Sequence, residues 1–349
     1  MTMATLPIAI TQGDPAGIGP EIIAKAFRDA PDVTRGCFVA GDVATLRRAA
    51  KIITGPGQVG LPVAEIRTAS EALEVPPRCI PVLPVLQAPE LVQVGVISAS
   101  AGRMAADCVT WAARAALRGD IAALVTAPLH KEALAAAGVD FPGHTELLQA
   151  EAAAHLGRPV QEVPVRMMLA NDELKTVLVS IHLSLREAIA AVTTDNVLQT
   201  LRLTHEFLLR TSTPGQTRRR IGVAGLNPHA GEGGLFGREE LDIILPAMAQ
   251  ARREGIDVQG PFAPDTVFMR ARARDAQPGE FDVVVAMYHD QGLIPVKYLG
   301  VEKGVNVTIG LPLVRTSPDH GTAFDIAGTG QADASSLIEA IRMARQLAL

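Results

Sequence analysis

Short apolar runs of strand length alternate with helix-length stretches along most of this chain, and that alternation confines it to an α/β class. Residues 6–11 are apolar and are followed by a Gly/Pro turn and a helix-like stretch at 20–28. Residues 37–40 read as a second strand, with a helical stretch after Asp42. Residues 98–118 are Ala-rich and read as a long helix, leading into a strand at 121–126 and a helix at 128–137. Residues 166–170 and 176–180 read as a hairpin across Asn171-Asp172. Beyond it come two helical pieces within 185–210, a strand at 221–226, a helix at 238–253, a strand at 282–287 and a terminal helix at 335–349. Residues 52–89 break the pattern. They are rich in Gly and Pro without helical periodicity, and predict loops and short antiparallel strands. The whole predicts a mixed, largely parallel sheet with helices on its faces.

The length of 349 residues corresponds to about two domains at ~150 residues each, or one large α/β unit. An apolar content of 48% supports a sizeable core and excludes wholesale disorder. A net charge of −5 argues against a general nucleic-acid binder, and 3% aromatic residues argue against base-stacking or sugar-stacking surfaces. The basic run within 211–220 reads as a solvated loop. Cys37, Cys79 and Cys108 are far apart and form no Cys-x-x-Cys pair. They read as small hydrophobes in a reducing cytoplasm, not as disulfides or thiolate ligands. Residues 1–10 lack the pattern of a signal peptide, and no uncharged apolar run approaches ~20 residues, so no membrane partner is expected.

Three apolar strands each lead to a histidine. Residues 176–181 run directly into His182; residues 221–226 are followed by Asn227-Pro228-His229; residues 282–288 are followed by His289-Asp290. In open α/β sheets the carboxyl edge forms the ligand crevice. Three imidazoles there can make a facial site for Zn²⁺, Co²⁺ or Ni²⁺ with positions open to substrate. A lone histidine at a strand end is more often a hydrogen-bonded structural residue. Three together bring the two readings level.

Several residues offer anion contacts. Gly143-His144-Thr145-Glu146 opens a helix whose N-terminus suits phosphate or carboxylate, though Thr145 also reads as a plain cap. Lys297 and Arg315 each end an apolar run, where a buried cation needs an anion from protein or ligand. The loop from Gly13 to Glu21 superficially resembles a dinucleotide cradle. Gly17-Ile18-Gly19 lacks the third glycine at the required offset, so a tight strand–helix turn is the better reading.

Six segments together resemble the 4-hydroxythreonine-4-phosphate dehydrogenase family of vitamin B6 biosynthesis. They are residues 11–21 (Thr-Gln-Gly-Asp-Pro-Ala-Gly-Ile-Gly-Pro-Glu), 126–132 (Thr-Ala-Pro-Leu-His-Lys-Glu), 143–146, 227–234 (Asn-Pro-His-Ala-Gly-Glu-Gly-Gly), 287–292 (Met-Tyr-His-Asp-Gln-Gly) and 315–323 (Arg-Thr-Ser-Pro-Asp-His-Gly-Thr-Ala). Residues 227–234 and 288–292 are the specific ones. The resemblance extends to paralogues acting on 4-phosphothreonate or 4-phosphoerythronate, to which residues 292–300 are at least as similar.

The resemblance implies an isocitrate/isopropylmalate-dehydrogenase-like fold of two α/β domains with an active-site cleft between them. The expected division is 1–130 plus 315–349 for the first domain and 131–314 for the second, which carries the metal ligands and dimer interface. It implies a cytoplasmic homodimer whose active site is lined by both subunits. The implied metal ligands are His182, His229 and His289, with one donated across the dimer. The metal would be zinc, with magnesium or cobalt as alternatives. Where the family often has Leu-Pro or Ile-Pro after the first of these histidines, this chain has Leu183-Ser184. Substrate contacts would be His144, Thr145, Lys297, Asn306 and Arg315, and Asp265 would lie near the metal. Asp265, or Lys297 after it, is the candidate general base.

The implied reaction is oxidation by NAD or NADP of 4-phosphohydroxy-L-threonine, a small phosphorylated hydroxy acid, followed by decarboxylation. The residues binding the dinucleotide stay unassigned. The residues alone leave two rivals open: a metal-dependent phosphatase, and a non-catalytic anion-binding module.

Overall fold

The computed structural model describes residues 6–55, 57–87, 89–211, 219–274 and 277–348. Residues 212–218 of the predicted basic loop lie outside the described residues, as do residues 1–5 and the last residue of the predicted terminal helix. In chain order the strands are β1 (Ile8–Thr11), β2 (Cys37–Gly41), β3 (Val63–Glu65), β4 (Ile80–Pro84), β5 (Ala123–Thr126) and β6 (Arg166–Ala170). There follow β7 (Lys175–Leu178), β8 (Ile221–Ala224), β9 (Val258–Phe262), β10 (Val283–Ala286), β11 (Val305–Ile309) and β12 (Arg315–Pro318). The chain is an α/β protein of two units. Described residues up to Pro164, with those from Leu311 onward, form the first; Val165–Gly310 form the second.

In the first unit the strand order is β3-β4-β2-β1-β5-β12. Each neighbouring pair is parallel. Ile10, Phe38 and Leu124 are fully buried in it, as parallel strands covered on both faces require. The stretch 52–89 corrects the expectation of antiparallel strands, because β3 pairs β4, and β4 pairs β2, in parallel. The 3-10 turn Ala69–Leu73 lies in the connection that carries the chain back between β3 and β4.

Ser98 caps the helix Ala99–Arg118, its side chain accepting from the Ala101 amide at 3.2 Å. A Cβ at Gly102 would lie 2.0 Å from the Ala133 carbonyl oxygen, so the missing side chain lets Lys131–Ala136 pack closely on this helix. Arg114 pairs with Glu151 of the helix His144–Leu156 at 2.7 Å. Residues 131–164 therefore group with the first unit, and the chain enters the second at Val165, where the sequence reading placed that entry at residue 131.

In the second unit the order is β11-β6-β7-β10-β8-β9. The pairs β11–β6 and β6–β7 are antiparallel; β7–β10, β10–β8 and β8–β9 are parallel. The β6–β7 hairpin forms as the sequence predicts. Asn171 Oδ1 accepts from the Glu173 and Leu174 amides at 2.9 and 2.8 Å, an Asx-type closure.

The helix His289–Tyr298 runs against local preference, since it contains Gly292 and Pro295. Packing overrides that preference. Leu293 and Val296 join the core of Leu169, Leu178 and Val284. Gly292 lies so close to β7 that a Cβ would meet Leu178 Cδ2 at 2.4 Å. No helix among the described residues is long and apolar enough to cross a membrane.

Candidate active site

The three histidine-bearing strands are neighbours. β7, β10 and β8 run parallel and side by side, so the segments leading to His182, His289 and His229 leave the sheet at one edge. Side chains tie that edge together. Ser180 Oγ donates to the Met287 carbonyl at 3.0 Å, joining the segments after β7 and β10. Gln291 accepts from the Met287 amide at 2.7 Å and donates to the Gly225 carbonyl at 2.8 Å, joining those after β10 and β8. Gln291 lies within the 287–292 motif, yet only the strand order gives it this role.

The structure brings two of the histidines together. The His182 and His289 rings have centroids 5.8 Å apart. Two imidazoles sharing an ion at ~2.1 Å per bond have ring centres roughly 5–6 Å apart. His289 Nδ1 lies 2.7 Å from Asp290 Oδ1, an arrangement that spends the Nδ1–H on the carboxylate and leaves the Nε2 lone pair available. His229 is exposed, with its ring centroid 6.1 Å from that of Phe236. Among the described residues no group of three or more His, Cys, Asp or Glu assembles as a metal cluster. The donor chemistry thus fits a divalent ion at the His182–His289 pair, with the third position unfilled by His229 of the same chain.

His229 sits on unusual backbone. From His229 to Gly234 every residue has positive φ, including the non-glycine residues His229 (51°), Ala230 (53°) and Glu232 (43°). Each such residue costs roughly 1–2 kcal/mol, so the surroundings must hold the turn in place.

Three of the residues expected to contact anions lie in the first unit. Arg315, 4% exposed, donates to Thr126 Oγ1 from Nε at 3.1 Å and from Nη2 at 2.7 Å. Burial pushes its guanidinium down to about 10, partly offset by the charge of Glu146. His144 starts the helix His144–Leu156, with Thr145 beside it in the first turn. Burial, and then the Arg315 charge, holds the His144 imidazole well below its ordinary value, against a hydrogen bond to the backbone of Ala127. His144 Nε2 is buried without a hydrogen-bond partner.

The remaining predicted residues lie in the second unit. Lys297 is half-buried in the last turn of His289–Tyr298, and Asn306 is half-buried on β11 opposite Leu169. Asp265 is exposed between β9 and the short helix Val267–Ala271.

Sequence reasoning missed a further polar group in the first unit. Thr11 Oγ1, at the end of β1, and Gln12 Nε2, Asp14 Oδ2 and His130 Nδ1, beyond the ends of β1 and β5, are buried without hydrogen-bond partners. Asp14 Oδ1 accepts from the Ala16 amide at 2.9 Å, and burial raises its carboxyl above the usual range. The His130 ring stacks on Phe324 at 4.9 Å. Native proteins leave few such atoms unpaired, so this group marks a place for a ligand or ordered water. The signal was available in the segment 11–21, whose polar residues had no other stated use.

Residues 33–344 match the family model described as pyridoxal phosphate biosynthetic protein PdxA. The chain is 52% identical over 347 residues to a 4-hydroxythreonine-4-phosphate dehydrogenase of Beijerinckia indica, covering 99% of this chain and 96% of that one. It is 47% identical to a D-threonate 4-phosphate dehydrogenase of Salmonella typhimurium, covering 99% and 100%. A crystal structure of 4-hydroxythreonine-4-phosphate dehydrogenase from Klebsiella pneumoniae superposes with a TM-score of 0.85 at 41% identity, covering 99% and 100%. With near-complete coverage in both directions, and the histidine-bearing strands aligned on one sheet edge, the chain belongs to the PdxA family.

Proposed function

We propose that this protein carries out metal-dependent, NAD(P)-linked oxidation of 4-phosphohydroxy-L-threonine at its 3-hydroxyl. Decarboxylation to 3-amino-2-oxopropyl phosphate follows, as a step of pyridoxal 5′-phosphate biosynthesis. The observation that carries this reading is the convergence of the β7, β10 and β8 termini, with His182 and His289 paired, in a chain 52% identical to a dehydrogenase of that name. The second reading is oxidation of D-threonate 4-phosphate, supported by 47% identity across the full length of a dehydrogenase with that name.

His182 and His289 would hold the ion, zinc by preference of the imidazole donors. Asp290 would fix the His289 tautomer. When bound, a divalent ion would supply Lewis acidity and a nicotinamide would supply the hydride acceptor. Arg315, His144 and Thr145 are the anion contacts we assign within the first unit, and Lys297 and Asn306 are the polar contacts we assign within the second. His144 stays neutral near pH 7 and donates or accepts at Nε2 without adding charge. Asp265 or Lys297 takes the hydroxyl proton. The unpartnered Gln12 Nε2 and Asp14 Oδ2 fit a carboxamide, one donating to its oxygen and the other accepting from its nitrogen. They stand just before the helix Gly19–Asp29, whose N-terminus suits a pyrophosphate.

A homodimer completes the reading. Exposed apolar side chains flank two of the histidine loops: Leu183, Leu185 and Ile189 after His182, and Leu235, Phe236 and Leu241 after His229. Leu235 is 73% exposed. Such patches mark surfaces that meet a partner. His229 of the partner subunit would then fill the third position beside the His182–His289 pair. The unpaired, buried cysteines suit a reducing cytoplasm.

The test is a kinetic comparison of 4-phosphohydroxy-L-threonine, 4-phosphothreonate and 4-phosphoerythronate, with NAD⁺ and with NADP⁺, before and after chelation. NAD(P)H production that vanishes on chelation and returns with Zn²⁺ supports the reading. Full activity after verified metal removal defeats the metal role. Phosphate release without nicotinamide points to a hydrolase.

A further inference from the structure

A single buried carboxylate pins the entrance of the left-handed turn that carries His229 and lies against its middle. Glu240, 2% exposed, opens the π-helical turn Glu240–Ile244. Its Oε1 accepts from the amides of Leu226 and Asn227 at 2.7 and 2.8 Å. Its Oε2 accepts from Asn227 Nδ2 at 3.0 Å. The same oxygen occupies the space a side chain at Gly231 would need, since a Cβ there would lie 2.6 Å away. Glu239 also accepts from Asn227 Nδ2, at 2.7 Å. Consecutive residues thus converge on one amide, a convergence that the wider π-helical turn helps to place. Around this anchor Ala230 N–H donates to the Asn227 carbonyl at 3.1 Å and Phe236 N–H to the Gly231 carbonyl at 3.2 Å.

We propose that Glu240 is a positioning residue which, through Leu226 and Asn227, holds His229 in its left-handed turn ready to ligate a divalent cation. A run of positive φ at His229, Ala230 and Glu232 does not persist unaided in L-residues, and Glu240 is the buried group that fixes its start. The proposal rests on the preceding reading of His229 as a metal ligand.

Glu240→Gln tests it, because the amide keeps one acceptor but sets an NH₂ against the Asn227 NH₂. On the metal-free protein, amide exchange at Leu226 and Asn227 should speed up at least tenfold. Zn²⁺ affinity, read by competition with a chromophoric chelator, should fall about 10–100-fold, the range for lost supporting contacts. The effect should disappear when Glu240→Gln is placed on a His229→Ala background, which a merely stabilising role would not produce. Glu232→Gly, which removes one strained residue, should recover part of the affinity of the Glu240→Gln protein. Asn227→Ala, which leaves Glu240 in place, provides the same readouts if the first variant folds poorly. Wild-type exchange and wild-type Zn²⁺ affinity in Glu240→Gln would overturn the proposal. If His229→Ala itself binds Zn²⁺ normally, the ligand reading fails, and exchange at 226–234 alone decides whether Glu240 holds the turn.

Discussion

The Asp290 carboxylate accepts a hydrogen bond from Nδ1 of its chain neighbour His289 at 2.7 Å, which leaves the lone pair of the opposite ring nitrogen, Nε2, to bind a metal. Asp290 is 73% exposed, so the bond is screened by solvent. Asp290→Ala should therefore weaken Zn²⁺ binding by about tenfold, the low end for such supporting groups. Isothermal titration or chelator competition would show it, and unchanged affinity would remove Asp290 from the site.

Among the described residues His229 does not complete a three-residue metal group, so the site that we propose the two protomers of a homodimer share is testable by mixing variants. His182→Ala and His229→Ala homodimers should each be inactive. Random reassembly of the two should restore about a quarter of wild-type activity, because half the dimers carry one intact site. Mixing His182→Ala with His289→Ala should restore nothing, since both residues belong to one protomer's share. Recovery in the second mixture would assign the donated histidine differently.

Arg315 is buried against Thr126, and burial pushes its guanidinium down to about 10; the substrate-contact role proposed for it makes a testable prediction. Arg315→Met should raise KM for the phosphorylated substrate by roughly 30-fold, about 2 kcal/mol of lost charge-assisted contact. Its thermal midpoint should stay within about 2 °C of wild type or rise. A large drop in midpoint with unchanged KM would make Arg315 a structural residue.

His144 predicts a pH dependence of stability. Burial and the Arg315 charge hold its folded pKa well below the ordinary 6.5. Below pH 6.5 the unfolded chain binds a proton that the folded protein does not. Stability is therefore full above 6.5 and declines as pH falls toward the folded value, with a slope of up to about 1.4 kcal/mol per pH unit from this group. Scanning fluorimetry from pH 7.5 to 5 should show that decline, and His144→Gln should flatten it. An equal slope in the variant would place the proton elsewhere.

Local chemistry made part of the fold legible in the chain. Apolar runs marked β1, β2, β5, β8 and β10; Asn171 marked the hairpin; Ser98 began the long helix. The histidines after three of these strands were visible because a strand end and its loop are contiguous in the chain. Tertiary structure alone decided that β7, β10 and β8 are neighbours, that β3 and β4 run parallel, and that Gly292 and Pro295 lie within a helix. It also decided that Glu240 grips a turn more than a dozen residues earlier, and that Arg315 finds Thr126 from 189 residues away. The reason is physical. Periodicity and turn preference act over a few residues, whereas strand order, close helix contact and the partners of buried charges depend on packing between segments whose sequence separation carries no pattern.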